Sequence, residues 1–159
     1  AWVNAKMATR PIPMASSLLE LGVAQWLYDR GGFWQLREYE DSSWRPYAEV
    51  VGRIVEQEQG HQNHGERIAI PLLKAEPDRV KAQALFETWL RQGIICLGRP
   101  YSEGNRYAVS VGLKQRDSAD CIKDYVRDIA PAVAESGLRF PLRESLGVEL
   151  PADLAWPGC

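Results

Sequence analysis

The chain has 159 residues, 45% of them apolar and 25% charged, with a net charge of −2. That length suits one domain with a real core, and the balanced charge excludes the basic surplus of a generic nucleic-acid binder. No apolar run reaches the roughly 20 residues needed to span a bilayer, so neither nucleic acid nor membrane is expected as a partner.

The leading segment from Ile12 to Leu27 is interrupted by Ser16, Ser17, Glu20, Gly22 and Gln25. It lacks the apolar centre and cleavage site of a secretory signal. Three scattered cysteines, Cys96, Cys121 and Cys159, read as free thiols in a reducing cytoplasm. The opening Ala1-Trp2-Val3 has no initiator Met, as processing or a fragment boundary would leave it.

Pro11 and Pro13 end an extended lead-in, and helical spacing begins at Ser16 or Ser17. It continues through Leu19, Val23, Trp26, Leu27 and Phe33 to about Tyr39. Gly31-Gly32 interrupts it at a cost of ~1 kcal/mol per glycine relative to alanine, a pattern that marks close packing or a ligand's approach. Asp41-Ser42-Ser43 predicts a turn, and Pro46 suits the first turn of a second helix from about Trp44 to Lys74. Glu76-Pro77-Asp78 breaks the chain and starts a third helix, with Val80, Ala84, Leu85 and Trp89 on its apolar side. Gly98-Arg99-Pro100 ends it. A shorter helix follows from Ser102 to about Leu113. Ser118 is the expected N-cap of a last helix through Ile122, Tyr125, Val126, Ile129 and Val133, with Gly137 as its stop. Prolines at 141, 151 and 157 predict an extended tail laid over the surface or across a partner. No strand alternation appears, so the expected class is all-α. One domain over 1–159 is expected, with a helix hairpin at about 16–74, C-terminal helices at about 77–137 and a tail at 138–159.

Within the second helix, Val51, Ile54, Val55, Ile68, Ala69, Leu72 and Leu73 form an apolar stripe, and Glu58 and His61 fall on it. Burying an unpaired carboxylate costs several kcal/mol, so such groups are paired, protonated or metal-bound. Residues i and i+3 share one helix face, so Glu58 and His61 can reach one metal site or can pair within a polar seam. With the hairpin turn at Ser43–Trp44, Asp29 lies level with Glu58. That adds a second carboxylate to the imidazole, beside small residues. Iron accepts this donor set. His64 reads as a solvated or capping residue, Glu56 and Glu66 as surface charges, and Arg91, Arg99, Arg106 and Lys114 as solvated faces.

Several motifs in one order carry a resemblance. They are Leu27-Tyr28-Asp29-Arg30-Gly31-Gly32, Ser42-Ser43-Trp44-x-Pro46-Tyr47 and Glu58-x-x-His61-x-x-His64-Gly65. Gly112-Leu113-Lys114-x-Arg116-Asp117 and Gly137-Leu138-x-x-Pro141 follow. From about Pro11 to Pro141 the chain resembles the catalytic subunit of the phenylacetyl-CoA epoxidase family, ferritin-like di-iron oxygenases. The resemblance implies a ferritin-like helical bundle, and Asp29, Glu58 and His61 as ligands of non-haem iron. It also implies O₂ as co-substrate, electrons from a partner reductase, and an aryl-CoA thioester as the molecule oxidised. The family draws a second Glu-x-x-His from an upstream helix pair, and this chain contains only one. The bundle is therefore expected to be completed by a missing upstream half, a partner subunit, or a second copy in a homodimer. A non-catalytic scaffold subunit and a metal-binding dimer without oxygenase activity are the alternatives.

Overall fold

A computed structural model describes residues 13–158; Pro11 and Cys159 lie outside them. Among the described residues every regular element is helical, in line with the expected all-α class and with a ferritin-like bundle. Helix α1 (Leu18–Ala24) runs into a π turn (Gln25–Asp29) and continues as α2 (Arg30–Arg37). Helix α3 (Arg45–Ala75) returns along it. Helices α4 (Arg79–Leu97), α5 (Glu103–Ser110) and α6 (Ser118–Ser136) follow, then one 3-10 turn at Arg143–Leu146.

Local chemistry sets the ends. Ser17 Oγ accepts the Glu20 N–H at 3.1 Å, and the Glu20 carboxylate accepts the Ser16 N–H at 2.8 Å, so each satisfies a donor the first turn cannot. Asp78 caps α4 by accepting the Lys81 N–H at 3.0 Å. The cap of α6 is Asp117, one residue earlier than expected. Its carboxylate accepts the Ala119 N–H at 2.8 Å and places negative charge at the positive end of the helix dipole. Ser118 points inward instead and donates to the Leu97 carbonyl at 2.7 Å. Gly137 ends α6 in the left-handed region at φ +70, which a side chain would strain.

The hairpin is drawn tight by glycines. A Cβ on Gly22 would sit 2.9 Å from Ile68, and one on Gly65 would sit 2.6 Å from the Gln25 Cβ and closer still to the Trp26 backbone nitrogen. On the opposite side, a Cβ on Gly31 would meet the Gly93 carbonyl oxygen at 2.5 Å. Of the expected Gly31-Gly32 pair, the first serves close packing, whereas Gly32 faces open space. Gly65→Ala therefore overpacks the crossing. The loss is expected to be about 1–3 kcal/mol in urea unfolding, even though alanine gains ~1 kcal/mol of helix propensity. A variant as stable as the parent would show that the helices separate at no cost.

The core lies between α1, the π turn, α3, α4 and α6. Val23, Trp26, Leu27, Leu73, Phe86, Leu90, Ile94, Ile122, Tyr125 and Ile129 are all buried there. Each large apolar side chain removed from water contributes about 1.5–3 kcal/mol. A smaller cluster of Phe33, Val51 and Val55 closes the hairpin tip. The tail belongs to the domain's own core rather than to a partner. Leu138, Leu146, Leu154 and Trp156 are buried, and the Trp156 indole donates to the Pro141 carbonyl at 2.8 Å.

Two charged groups expected at the surface are structural. Lys114 is 4% exposed; its ammonium donates to Asn105 Oδ1 at 3.0 Å and Ser118 Oγ at 2.8 Å, joining α5 to the start of α6. Glu66 accepts from the Arg30 guanidinium at 2.5 Å, and Asp128 approaches the same buried guanidinium at 3.5 Å. No helix among the described residues is long and apolar enough to cross a membrane.

Candidate metal centre

Asp29 ends the π turn, and Glu58 and His61 lie at mid-length on α3. One ligand atom from each falls within 4.8 Å of the other two. The sequence placed these three side chains together, and the coordinates do the same.

Their setting differs from the expectation in two ways. Gly65 faces Trp26 and Gly22 faces Ala69, so the level opposite Asp29 falls at His61–Gln62. The Glu58 carboxylate reaches the cluster from one turn nearer the hairpin tip. These pairings put the symmetric midpoint of the hairpin at residues 45–46 rather than at Ser43–Trp44. The second difference is burial. The buried stripe of α3 is Val51, Val55, Gln62, Gly65, Ala69 and Leu73. Glu58 sits beside it, half-buried, while the His61 side chain is 57% exposed. The three donors occupy the rim of the hairpin rather than its interior. His64 is solvated, as expected.

Electrostatics follow from this rim position. Burial, then the neighbouring Glu58 carboxylate, pushes the Asp29 carboxyl up from 3.8 to about 6, while His61 pulls it down. Glu58 Oε2 and His61 Nδ1 lie 3.8 Å apart. Cys96, on α4, reaches Gln35 Oε1 at 3.7 Å. Burial, then the charges of Asp29 and Glu58, raises its thiol to about 11, so it stays neutral beside the carboxylates. The open space at Gly32 lies one turn beyond Asp29.

The raised Asp29 pKa has a definite sign for stability. The folded protein favours the protonated form. That contribution is complete below the ordinary value of 3.8 and is lost as pH rises through about 6. Metal-free protein is therefore expected to be less stable at pH 7.5 than at pH 5. Asp29→Asn should remove this slope and gain on the order of 1 kcal/mol at pH 7.5, once solvent screening of a partly buried group is allowed for. Urea melts at the two pH values test it; parallel slopes for parent and variant would refute the assignment.

Gln62 escaped the sequence reading. It is 4% exposed, and its side-chain oxygen has no hydrogen-bond partner among the described residues. The signal was present, because Gln62 lies four residues after Glu58 and three before Gly65, on the buried stripe. Gln62 lies at the level of Asp29 on the core-facing side of α3, next in sequence to His61.

A family model described as phenylacetic acid catabolic protein, named PaaA/PaaC, matches residues 13–149. Among curated proteins, none matches the chain.

Proposed function

The chain belongs to the phenylacetic acid catabolic protein family, and from that premise we propose that it carries half of a di-iron centre. In this reading it is the catalytic rather than a structural subunit of a multicomponent oxygenase. Its substrate is an aryl-CoA thioester such as phenylacetyl-CoA, and one atom of O₂ is added to the ring by epoxidation or hydroxylation. The observation that carries the reading is the convergence of Asp29, Glu58 and His61 to within 4.8 Å.

The donor chemistry fits. Two carboxylates and one imidazole are hard and borderline ligands of the kind non-haem iron accepts. They are also half of the four carboxylates and two histidines that ferritin-like di-iron proteins use. Bound iron would supply the activation of O₂, which the side chains of this chain lack. The chain's own residues do the rest. Asp29 gives up a proton near pH 6 to become a ligand, so metal uptake should weaken as pH falls through that value. Cys96 stays a neutral thiol beside the carboxylates, which leaves the oxygen and nitrogen donors as the ligands on offer. Gly32 leaves room for a ligand or substrate next to Asp29.

Three donors at a half-open rim make an incomplete centre. The remaining ligands come from outside this chain, from an upstream helix pair, a partner subunit or a second copy. Electrons come from a partner reductase. In this reading the described residues, 13–158, make one domain that forms half of a ferritin-like bundle.

A second reading has its own support. The 3.8 Å approach of Glu58 to His61 is an ion-pair geometry that needs no metal. It favours a non-catalytic scaffold subunit with a polar seam. Titrating purified protein with Fe(II) under anaerobic conditions separates the two. About one iron per chain or per pair of chains supports the di-iron reading. Intact oligomer that takes up no metal at pH 7.5 supports the scaffold.

A further inference from the structure

The helix that carries Asp29 is not regular where it matters. From Gln25 to Asp29 it opens into a π turn, a rare form that inserts an extra residue into one turn. Such an insertion rotates every later side chain by about 100° relative to an uninterrupted α-helix. The azimuth of Asp29 toward α3 therefore depends on this turn keeping its form.

Contacts from three other helices meet at the same turn. Tyr125, on α6, is fully buried, and its hydroxyl donates to the Leu27 carbonyl at 3.1 Å. The Arg30 N–H donates to the same carbonyl. Gly93, on α4, makes the approach possible: a Cβ there would sit 2.6 Å from the Leu27 oxygen and closer still to the Tyr125 hydroxyl. On the far side, Gly65 lets α3 press against Trp26. Burial raises the Tyr125 phenol far above its ordinary value, so it remains a donor at every pH at which the protein folds.

We infer that Tyr125 is a positioning residue for Asp29: its hydroxyl, reaching the Leu27 carbonyl over Gly93, holds the π turn that aims the Asp29 carboxylate at Glu58 and His61. The link to a metal rests on the proposed di-iron reading; the link to the turn does not.

Tyr125→Phe removes only the hydroxyl, and Ile129→Val on the same buried face serves as a packing control. In metal-free protein, hydrogen exchange by NMR should speed at least 10-fold for amides 25–30 in Tyr125→Phe but not in Ile129→Val. Titration with Co(II) should show about a 10-fold weaker affinity and a changed visible ligand-field spectrum in Tyr125→Phe alone, the scale expected when support behind a ligand is lost. A folded Tyr125→Phe protein with parental exchange at 25–30 overturns the inference. So does faster exchange there with an unchanged Co(II) spectrum and affinity. If the parent binds no Co(II), the metal reading fails by itself, and the exchange data still decide whether Tyr125 holds the turn. Should Tyr125→Phe not fold, the parent decides: a slowly exchanging Tyr125 hydroxyl proton close to Leu27 supports the role, and a rapidly exchanging one overturns it.

Discussion

Glu38→Ala is expected to destabilise the protein by about 2–4 kcal/mol, a large share of the stability of a domain this size. Glu38 follows directly on α2, and its side chain is 3% exposed. Its carboxylate accepts three hydrogen bonds from Arg116. The backbone N–H donates at 2.8 Å, Nε at 3.1 Å and Nη2 at 2.6 Å. The Glu38 carbonyl also accepts the Gln115 N–H at 2.9 Å. These bonds join the hairpin to the segment leading into α6, across 78 positions of sequence. Truncation leaves the Arg116 N–H without its partner and opens a cavity beside buried Cys121. The guanidinium is 43% exposed and also bonded to Asp124 at 2.8 Å, so it can turn to water. That relief keeps the loss below the upper range for a stranded buried charge. Glu38→Gln should lose less, because its amide oxygen can still accept the Arg116 N–H. Urea unfolding of both variants tests the ordering. Equal midpoints for Glu38→Ala and the parent would remove the pair from any account of stability.

Glu58→Ala is expected to lower metal affinity by 100-fold or more while leaving the fold within about 0.5 kcal/mol of the parent. The two effects separate because of where Glu58 sits. Its side chain is 24% exposed, beside the stripe that packs the hairpin. Losing it therefore takes little from the core. In the proposed centre, metal binding depends on it far more. With Asp29, it is one of only two carboxylates in the cluster, and removing one of three ligands leaves too few to hold an ion. Removing Glu58 also lifts its repulsion of Asp29, so the Asp29 carboxyl should fall from about 6 toward its ordinary range. Anaerobic Fe(II) titration alongside thermal melts checks both halves. Retained iron in Glu58→Ala would point to other ligands and sink the assigned set.

Much of the fold was legible in the chain. Apolar spacing in α1 and α3, the Glu76-Pro77-Asp78 break and the Gly137 stop are local signals, and the helices begin and end within a few residues of them. The convergence of Asp29, Glu58 and His61 was legible in part: helical period brings Glu58 and His61 to one side, whereas the expected level of Asp29 with Glu58 was one turn off. Family membership agrees with the resemblance those motifs carried. Less accessible were Lys114, Glu66 and Gln62. A charged or amide side chain looks the same in sequence whether it faces water or another helix.

From the sequence alone it follows that this chain is all-helical, that its first two long helices pair, and that Asp29, Glu58 and His61 come together, but not that Glu58 lies one turn off the level of Asp29. Periodicity, caps and breakers act within a few residues, so they need no knowledge of the rest of the molecule. Tertiary structure alone decided that His61 stands at the rim, that the tail completes the core, and that a π turn aims Asp29. The last of these depends on α4 and α6 pressing through Gly93 and Tyr125 onto one turn of the first helix. Contacts between residues up to 98 positions apart set it, and no local pattern encodes such contacts.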